Sequence, residues 1–527
     1  MLSQSAAVLR FLVGLYRHAR HPLSPHEASD VIRRQMEGRA DSFLRILDRG
    51  VYRNAGSPYL ALLEHADVSF ADVERAVHDH GLEETLGRLH DEGVRLSIDE
   101  FKGRVPVCRP GLEIPVSPQD FDNPLLAGFY RARTGGSRSP GLSVAIDIEL
   151  LRHEAAYMVL YMEEFDLLDR PESQWLGAPP VTAGMQNLLR YSGAGKTVER
   201  WFAQTGRPPG AIGLACAAYE SFSLWTVRAA GRPAPRPLFT PREGAGDVAR
   251  HLAARVAEGR PGTMSSNATS AVRVCLAARE AGLDISGTHF RLGGEPLTVG
   301  KLAVIHETGC TAITQYAMAE LGLMGIPCAE PRSHDDSHLL TDKLAVVVRE
   351  RTVGPHSPPV PSLIFTTLLP GSPKLMLNVE SGDYGVFERR PCRCAFGRLG
   401  LDAHLSDIRS FEKLTGEGVT FLGTELHRIL EELLPSEFGG APTDYQLAEE
   451  EDEGLTTIRL RVSPSIGDLD EEAVRETVLR ELFATPGGGL MVDQWRQGDT
   501  FRVERADPYV TSSAKILPLH INKEATR

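Results

Sequence analysis

The chain has 527 residues, 24% of them charged, and a formal net charge of −13. That length calls for several cores, about two to four at roughly 150 residues per domain, and the acidic balance, with no basic face evident, disfavours nonspecific binding of nucleic acid. Seven scattered cysteines, Cys108, Cys216, Cys275, Cys310, Cys328, Cys392 and Cys394, form no dense framework and point to a reducing compartment, the cytoplasm.

The apolar run from Ala6 to Leu15 is too short, and with Arg10 too interrupted, to span a bilayer. It also lacks the basic start and small-residue cleavage site of a signal peptide, so no membrane partner is expected. The first hundred residues read as helices. Ser24-Pro25-His26-Glu27 combines a capping Ser, a Pro at the first helical position and a Glu three residues after the cap, and an amphipathic run follows to Gly50. A second helical pattern covers Phe70 to Glu92, interrupted at Gly81. The segment is expected to pack against the main domain and to carry no chemistry.

Between Asn123 and Val144 the character changes. Aromatic and basic residues lead into Thr134-Gly135-Gly136-Ser137-Arg138-Ser139-Pro140-Gly141. Unshielded backbone N–H groups in such a loop form an anion nest and the hydroxyls add donors, which suits a polyphosphate, although a surface turn has the same composition. Ser192-Gly193-Ala194-Gly195-Lys196-Thr197 imitates the end of a P-loop, but Arg190 stands where a glycine belongs. It reads instead as an exposed helix start.

From Pro209 helices and strands alternate: an apolar run Ala211 to Ala217, a Pro-rich loop Arg232 to Pro241, a helix Asp247 to Glu258, then Thr263-Met264-Ser265-Ser266-Asn267 before a helix Thr269 to Gly282. The stretch that organises the chain is Arg291 to Glu320. A strand-like run enters Gly293-Gly294-Glu295-Pro296, an amphipathic segment extends from Leu297 to about Glu307, and a β-branched run from Cys310 to Thr314 ends on Gln315-Tyr316. Strand, helix, strand brings two strand ends together, and in open α/β sheets ligands bind at those ends.

Cys328 and Ser333-His334-Asp335-Asp336-Ser337-His338 follow, with strands at Lys343 to Arg349 and Leu363 to Leu369, and Lys374 to Asp383 closing a further strand. Cys392-Arg393-Cys394 lies beyond, then Asp407-Ile408-Arg409-Ser410 and on to Gly418. The remainder suggests a strand Thr456 to Val462, a helix Asp470 to Leu482, a glycine turn Gly487 to Gly489 and a strand Thr500 to Val503, with Glu449 to Glu453 as a solvated acidic run. Thr511-Ser512-Ser513-Ala514-Lys515-Ile516-Leu517 lies near the end.

In this order the motifs resemble those of adenylate-forming (acyl-AMP) ligases, in the branch that looks like phenylacetate-CoA ligase, over roughly residues 100 to 527. Tyr316-Ala317-Met318-Ala319-Glu320 resembles the family's Tyr-Gly-x-x-Glu, which implies that the Tyr316 ring lies near adenine and that Glu320 approaches a nucleotide-bound Mg²⁺. Gly293, Gly294, Glu295, Pro296 and Gln315 border the same site. The 134–141 loop is similar to the phosphate loop, with Thr134, Gly135, Gly136, Ser137 and Arg138 as its contacts and Ser139 in place of the family's lysine, so Arg138 takes the phosphate. The Ser265-Ser266-Asn267 junction corresponds to a place that often borders the acyl pocket in the family, and a plain N-cap accounts for it equally well.

By the same resemblance Asp383 holds the ribose hydroxyls, although the family's preceding Arg is missing, and Arg409 is the cation of a hinge whose glycine is here Ile408. Lys515 corresponds to the terminal lysine that reaches the carboxylate and the α-phosphate. Lys515, Glu320 and Arg409 are therefore the expected catalytic residues. Some members of the branch carry a structural zinc, for which Cys328, His338, Cys392 and Cys394 would be the ligands, while Cys275 and Cys310 are core residues.

The resemblance implies an α/β protein: a helical segment over 1–100, an adenylation core over 101–408 and a small mobile α+β domain over 409–527. The implied reaction joins a carboxylic acid to ATP with Mg²⁺, releasing pyrophosphate, and passes the acyl group to a thiol of CoA or of a carrier-protein phosphopantetheine. An acyl-adenylate ligase for a protein or amine acceptor, and a nucleotide-binding homologue without catalysis, stay open, as does a homodimer.

Overall fold

The computed structural model describes residues 2–133, 143–181, 183–207, 209–241, 244–294, 297, 299–351, 360–410, 428–440, 444–452, 455–484, 488–509 and 519–521. Its N-terminal part is a string of helices: α1 (Leu2–Arg20), α2 (Pro25–Glu37), α3 (Arg39–Ile46), α4 (Pro58–His65), α5 (Phe70–His80), α6 (Leu82–Asp91) and the single turn α7 (Ile98–Phe101). Ser24 caps α2 reciprocally with Glu27, and Ser69 does so with Asp72 at α5. Gly81, at φ +85°, ends α5 and starts α6, a backbone angle that other residues adopt at a cost. Phe43, Tyr59, Leu86 and Phe101 from this string pack into one core with Leu344, Phe365 and Leu405 of the sheet described next.

Two short hairpins come next, β1 (Val107–Arg109) with β2 (Leu112–Ile114), and β3 (Phe129–Arg133) with β4 (Ser143–Asp147). Asp147 caps α8 (Ile148–Glu164), a helix buried along most of its length. β5 (Glu172–Trp175), α9 (Ala183–Gly193), β6 (Val198–Ala203), α10 (Gly210–Ala229), β7 (Leu238–Phe239), α11 (Ala245–Ala257), β8 (Thr263–Ser266), α12 (Ala268–Glu280), β9 (His289–Gly293), α13 (Val299–Glu307) and β10 (Thr311–Met318) alternate in the manner of parallel-sheet units. β11 (Gly322–Pro327), β12 (Ser337–Leu339), β13 (Leu344–Arg351), β14 (Val360–Thr367), β15 (Val379–Arg389), α14 (Ala395–Arg398) and β16 (Ala403–Ser410) complete the main body.

Twelve strands form one sheet in the order β13-β14-β15-β16-β12-β11-β10-β9-β8-β5-β6-β7. From β7 to β10 the pairs are parallel, and from β10 to β13 they are antiparallel. β10 is the seam: Gln315 is its last residue in parallel register, opposite Gly293, and Tyr316 is its first in antiparallel register, opposite Gly325. A register shift separates Tyr316 from Ala317, the kind of irregularity that re-aims a strand. A second sheet, β17 (Tyr445–Asp452), β18 (Leu455–Val462), β19 (Phe501–Arg505) and β20 (Leu519–Ile521), has its own core with the helices Glu471–Phe483 and Gly488–Gly498. β18 packs against α12.

Several expectations are corrected here. Ala211 to Ala217 is the first half of helix α10. Ser192 and Gly193 end a helix and do not start an exposed one: Gly193 passes so close to His18 that a Cβ would lie 2.0 Å from its ring, and Lys196 is buried with Nζ donating to the Leu167 and Leu168 carbonyls at 2.5 and 2.7 Å. Gly488 and Gly489 open a helix. Glu449 to Asp452 belong to β17, where Glu450 pairs with Arg459 at 2.6 Å and accepts the Tyr509 hydroxyl at 2.7 Å, so facing cations stabilise a strand in place of a solvated run. Asp383 lies within β15 and does not close it.

Burial holds His18, His251 and His289 down at about 4 from an ordinary 6.5. The unfolded chain takes up these protons below 6.5 and the folded chain only near 4, so stability present at neutral pH is lost as pH falls through that window. Thermal melts between pH 7 and 4.5 should show a falling midpoint, less steep in His289→Gln; a midpoint unchanged with pH would contradict this burial.

Candidate functional site

Tyr316 at the seam donates its hydroxyl to Asp383 Oδ2 across 2.7 Å. Between β10 and β15 lie β11, β12 and β16, which in a flat sheet would separate the two strands by about 19 Å at 4.8 Å per step. The antiparallel half therefore curls back on itself, and this curl delivers Asp383, 4% exposed, to the strand end that carries Tyr316. Burial, followed by the Asp383 carboxylate, pushes the Tyr316 phenol well above its ordinary value, so it stays a neutral donor. Asp383 also receives the Ser381 hydroxyl's support through its own backbone N–H, which donates to Ser381 Oγ at 3.1 Å.

Glu320 follows directly on β10 and is 3% exposed. Its carboxylate faces Lys102 Nζ at 3.6 Å. The turn that presents Glu320 is held from below: Leu323 N–H donates to Glu154 Oε1 at 2.6 Å, and Gly322, at φ +75°, lies where a Cβ would be 2.1 Å from that oxygen. Glu154 is fully buried on α8 and is neutralised by Arg190 Nε at 2.5 Å and Lys343 Nζ at 3.2 Å. Lys343 also donates to the Leu321 carbonyl at 2.7 Å. One buried carboxylate with two cations thus fixes both sides of the Glu320 turn, since an ion this far from water requires its partners.

On the parallel side, Gln315 Oε1 accepts from Arg291 at 2.6 Å, and Arg291 reaches on to Ser265 Oγ at 2.9 Å and to Asn187 Oδ1. Arg291 lies over the Tyr191 ring at 5.1 Å. Gly293, opposite Gln315, leaves room for the amide, because a Cβ there would approach Gln315 Nε2 to 3.3 Å. Gly294 is exposed at φ +85°. Asn267 caps α12 by accepting the Ser270 N–H at 2.8 Å, which accounts for the Ser/Asn junction.

A second cluster joins β11, β12, β16 and the loop before α14. Cys328 and Cys392 sulfurs are 3.4 Å apart, and Cys394 Sγ is 2.9 Å from His338 Nε2. His338 Nδ1 donates to the Leu401 carbonyl at 2.7 Å, which fixes Nε2 as the free ligand atom. His404 lies directly opposite His338 on the neighbouring strand, with Nδ1 on Asp336 at 2.8 Å and a buried Nε2 that has no hydrogen-bond partner. The ligand atoms of Cys328, His338, Cys392 and His404 lie within 4.8 Å of one another. This donor set fits a four-coordinate soft-metal site. The Cys328 thiol and the His338 ring hold the Cys394 thiol well below its ordinary value.

The structure brings Gly293, Gly294, Gln315, Tyr316, Glu320 and Asp383 to the seam and gathers all four expected thiol and imidazole ligands. Arg409 and Ser410 end β16, paired with Tyr384 and Asp383. Thr134, Gly135, Gly136, Ser137, Arg138, Glu295, Pro296 and Lys515 lie outside the described residues. Lys102, His404, Glu154 and Arg291 went unforeseen. His404 could be found only through its cross-strand pairing with His338, and Lys102 stands in a segment to which no chemistry was assigned.

No family model and no curated protein matches the sequence. A solved structure of 2-hydroxyisobutyryl-CoA ligase, with 2-HIB-AMP and CoA in the thioesterification state, superposes with a TM-score of 0.54 at 13% identity, covering 95% of this chain and 92% of that one. An open conformation of that ligase gives 0.45 at 13% identity over 95% and 93%, and a malonyl-CoA ligase gives 0.38 at 15% identity over 72% and 71%. The first similarity establishes the fold. Among the described residues no helix is long and apolar enough to cross a membrane.

Lys343→Met would leave Glu154 with one cation in place of two in a waterless site, and should lower the unfolding free energy by about 3 kcal/mol. Urea unfolding measures this; a loss below about 1 kcal/mol would show that Arg190 alone satisfies the carboxylate.

Proposed function

We propose that this chain, built on the fold of a carboxylate–CoA ligase, is an AMP-forming acid–thiol ligase that binds Mg·ATP across the seam of its large sheet. The observation that carries the proposal is the convergence of Tyr316, Glu320 and Asp383, which the sequence keeps apart, on one end of β10. The same fold holds an acyl-adenylate and CoA in the ligase whose solved structure superposes on it.

In this mechanism Asp383 accepts the two ribose hydroxyls, and nucleotide entry replaces the hydrogen bond it now receives from Tyr316. The Tyr316 ring then lies along the base. Glu320 would hold Mg²⁺, which when bound neutralises phosphate charge. The acid's carboxylate attacks the α-phosphorus, the bond to pyrophosphate breaks, and Lys515 offsets charge on the reacting oxygens. The loop of Thr134, Gly135, Gly136, Ser137 and Arg138 wraps the departing phosphates. The chain beyond β16, whose described residues have a sheet and core of their own, turns about the end of that strand at Arg409 to withdraw Lys515 and admit the thiol of CoA or of a carrier-protein phosphopantetheine. The scatter of the seven cysteines along the chain favours a reducing compartment, the cytoplasm.

We also propose that the thiol–imidazole cluster holds a structural Zn²⁺, with Cys328, His338 and Cys392 as ligands, joined by Cys394, whose Sγ is 2.9 Å from His338 Nε2, or by His404, whose ring completes the group within 4.8 Å. The ion would tie β11, β12, β16 and α14 together.

Two measurements test these readings. ATP–pyrophosphate exchange with a panel of carboxylic acids should appear for at least one acid and fall about thirtyfold or more in Asp383→Ala, which forfeits two hydrogen bonds to a charged group. No exchange with any acid while ATP still binds would identify a nucleotide binder without catalysis. Elemental analysis should find about one zinc per chain, and its removal by chelator should lower the melting temperature; a metal-free chain with unaltered stability would overturn the zinc centre.

A further inference from the structure

Lys102 closes the last turn of the helical string, just inside the expected adenylation core, and its ammonium lies 3.6 Å from the carboxylate of Glu320. Its backbone is tightly determined. Ser97 and Glu100 form a reciprocal cap at α7, Phe101 is buried, and Lys102 N–H closes the turn onto the Glu100 and Ile98 carbonyls. Gly103, at φ +62°, then turns the chain sharply against Ser117 and Pro118, where a Cβ would meet Pro118 Cδ at 2.8 Å. Leu96, just before α7, exchanges backbone hydrogen bonds with Asn378 and Glu380 at 3.1 and 2.9 Å, and Glu380 lies three residues before Asp383 on β15. The Lys102 backbone is therefore fixed to the strand that carries Asp383.

The side chain is 22% exposed against 4% for Glu320, and at 3.6 Å the two are an ion pair without a direct hydrogen bond. A long ammonium at that distance offsets the charge of the carboxylate. We propose that Lys102 is a cation of the phosphate subsite: it is paired with Glu320 while no nucleotide is bound, and turns to a phosphate oxygen when a divalent ion takes over Glu320. The exchange keeps charge balanced, because the ion replaces the ammonium at the carboxylate while the polyanionic triphosphate supplies the ammonium with a new partner. The inference rests on the nucleotide reading of the seam.

Direct binding of ATP, AMP and adenosine to the full-length protein, with and without Mg²⁺, tests it in the wild type, Lys102→Met and Lys102→Arg. Lys102→Met should weaken ATP about tenfold in Mg²⁺ and leave adenosine within twofold, while Lys102→Arg retains most of the ATP affinity. Undiminished ATP binding in Lys102→Met would overturn the inference. So would an equal loss for ATP and adenosine, or a fall in melting temperature with the ATP-to-adenosine ratio unchanged, since each marks a purely structural ion pair. A wild type that binds neither ATP nor adenosine would overturn the nucleotide reading, and this inference with it.

Discussion

The hydrogen bond from Tyr316 to Asp383 is the constraint on which the rest of the site depends. It can form only because one strand, β10, belongs to two kinds of sheet. On its parallel side the chain has the alternation of strand and helix that opens strand ends toward a ligand. On its antiparallel side successive strands twist and curl until the fifth in line touches the first. The bulge after Tyr316 marks the handover. Neither half alone places the Tyr316 ring and the carboxylates of Glu320 and Asp383 within one reach.

Beneath that handover sits a layer of buried charge. Glu154, Arg190 and Lys343 carry no evident chemistry, but they hold the backbone on both sides of Glu320, and Gly322 exists there because any side chain would strike the Glu154 oxygen. Such an arrangement costs desolvation and is tolerated when every ion has its partners. Its effect is positional: the turn bearing Glu320 is held through the backbone of Leu321 and Leu323. The Arg291 network on the parallel side plays the corresponding part for Gln315.

Much of this was legible in the chain itself where local signals are strong. The capping boxes at Ser24 and Ser69, the break at Gly81 and the strand–helix–strand run through Arg291 to Glu320 all follow from short-range rules. The pairing of Cys328 and His338 with Cys392 and Cys394 also followed, but only through resemblance. What failed was decided by tertiary packing. An apolar run at Ala211 is equally a strand or a helix start until its neighbours are known. A glutamate run is solvated only if no arginines face it, and Arg459 does face Glu450. His404 joins its cluster through the register of β12 on β16, and Lys102 joins the seam through a glycine turn far upstream, neither of which has a sequence signature.

The helical string at the N-terminus has a meaning that its position in the chain conceals. Its core is shared with the antiparallel half, its Leu96 extends the edge of β15, and its last turn sets an ammonium beside Glu320. The antiparallel half is therefore not a self-sufficient module. A shortened version beginning near residue 101 would be a vessel missing one wall, its sheet face stripped of the side chains that cover it.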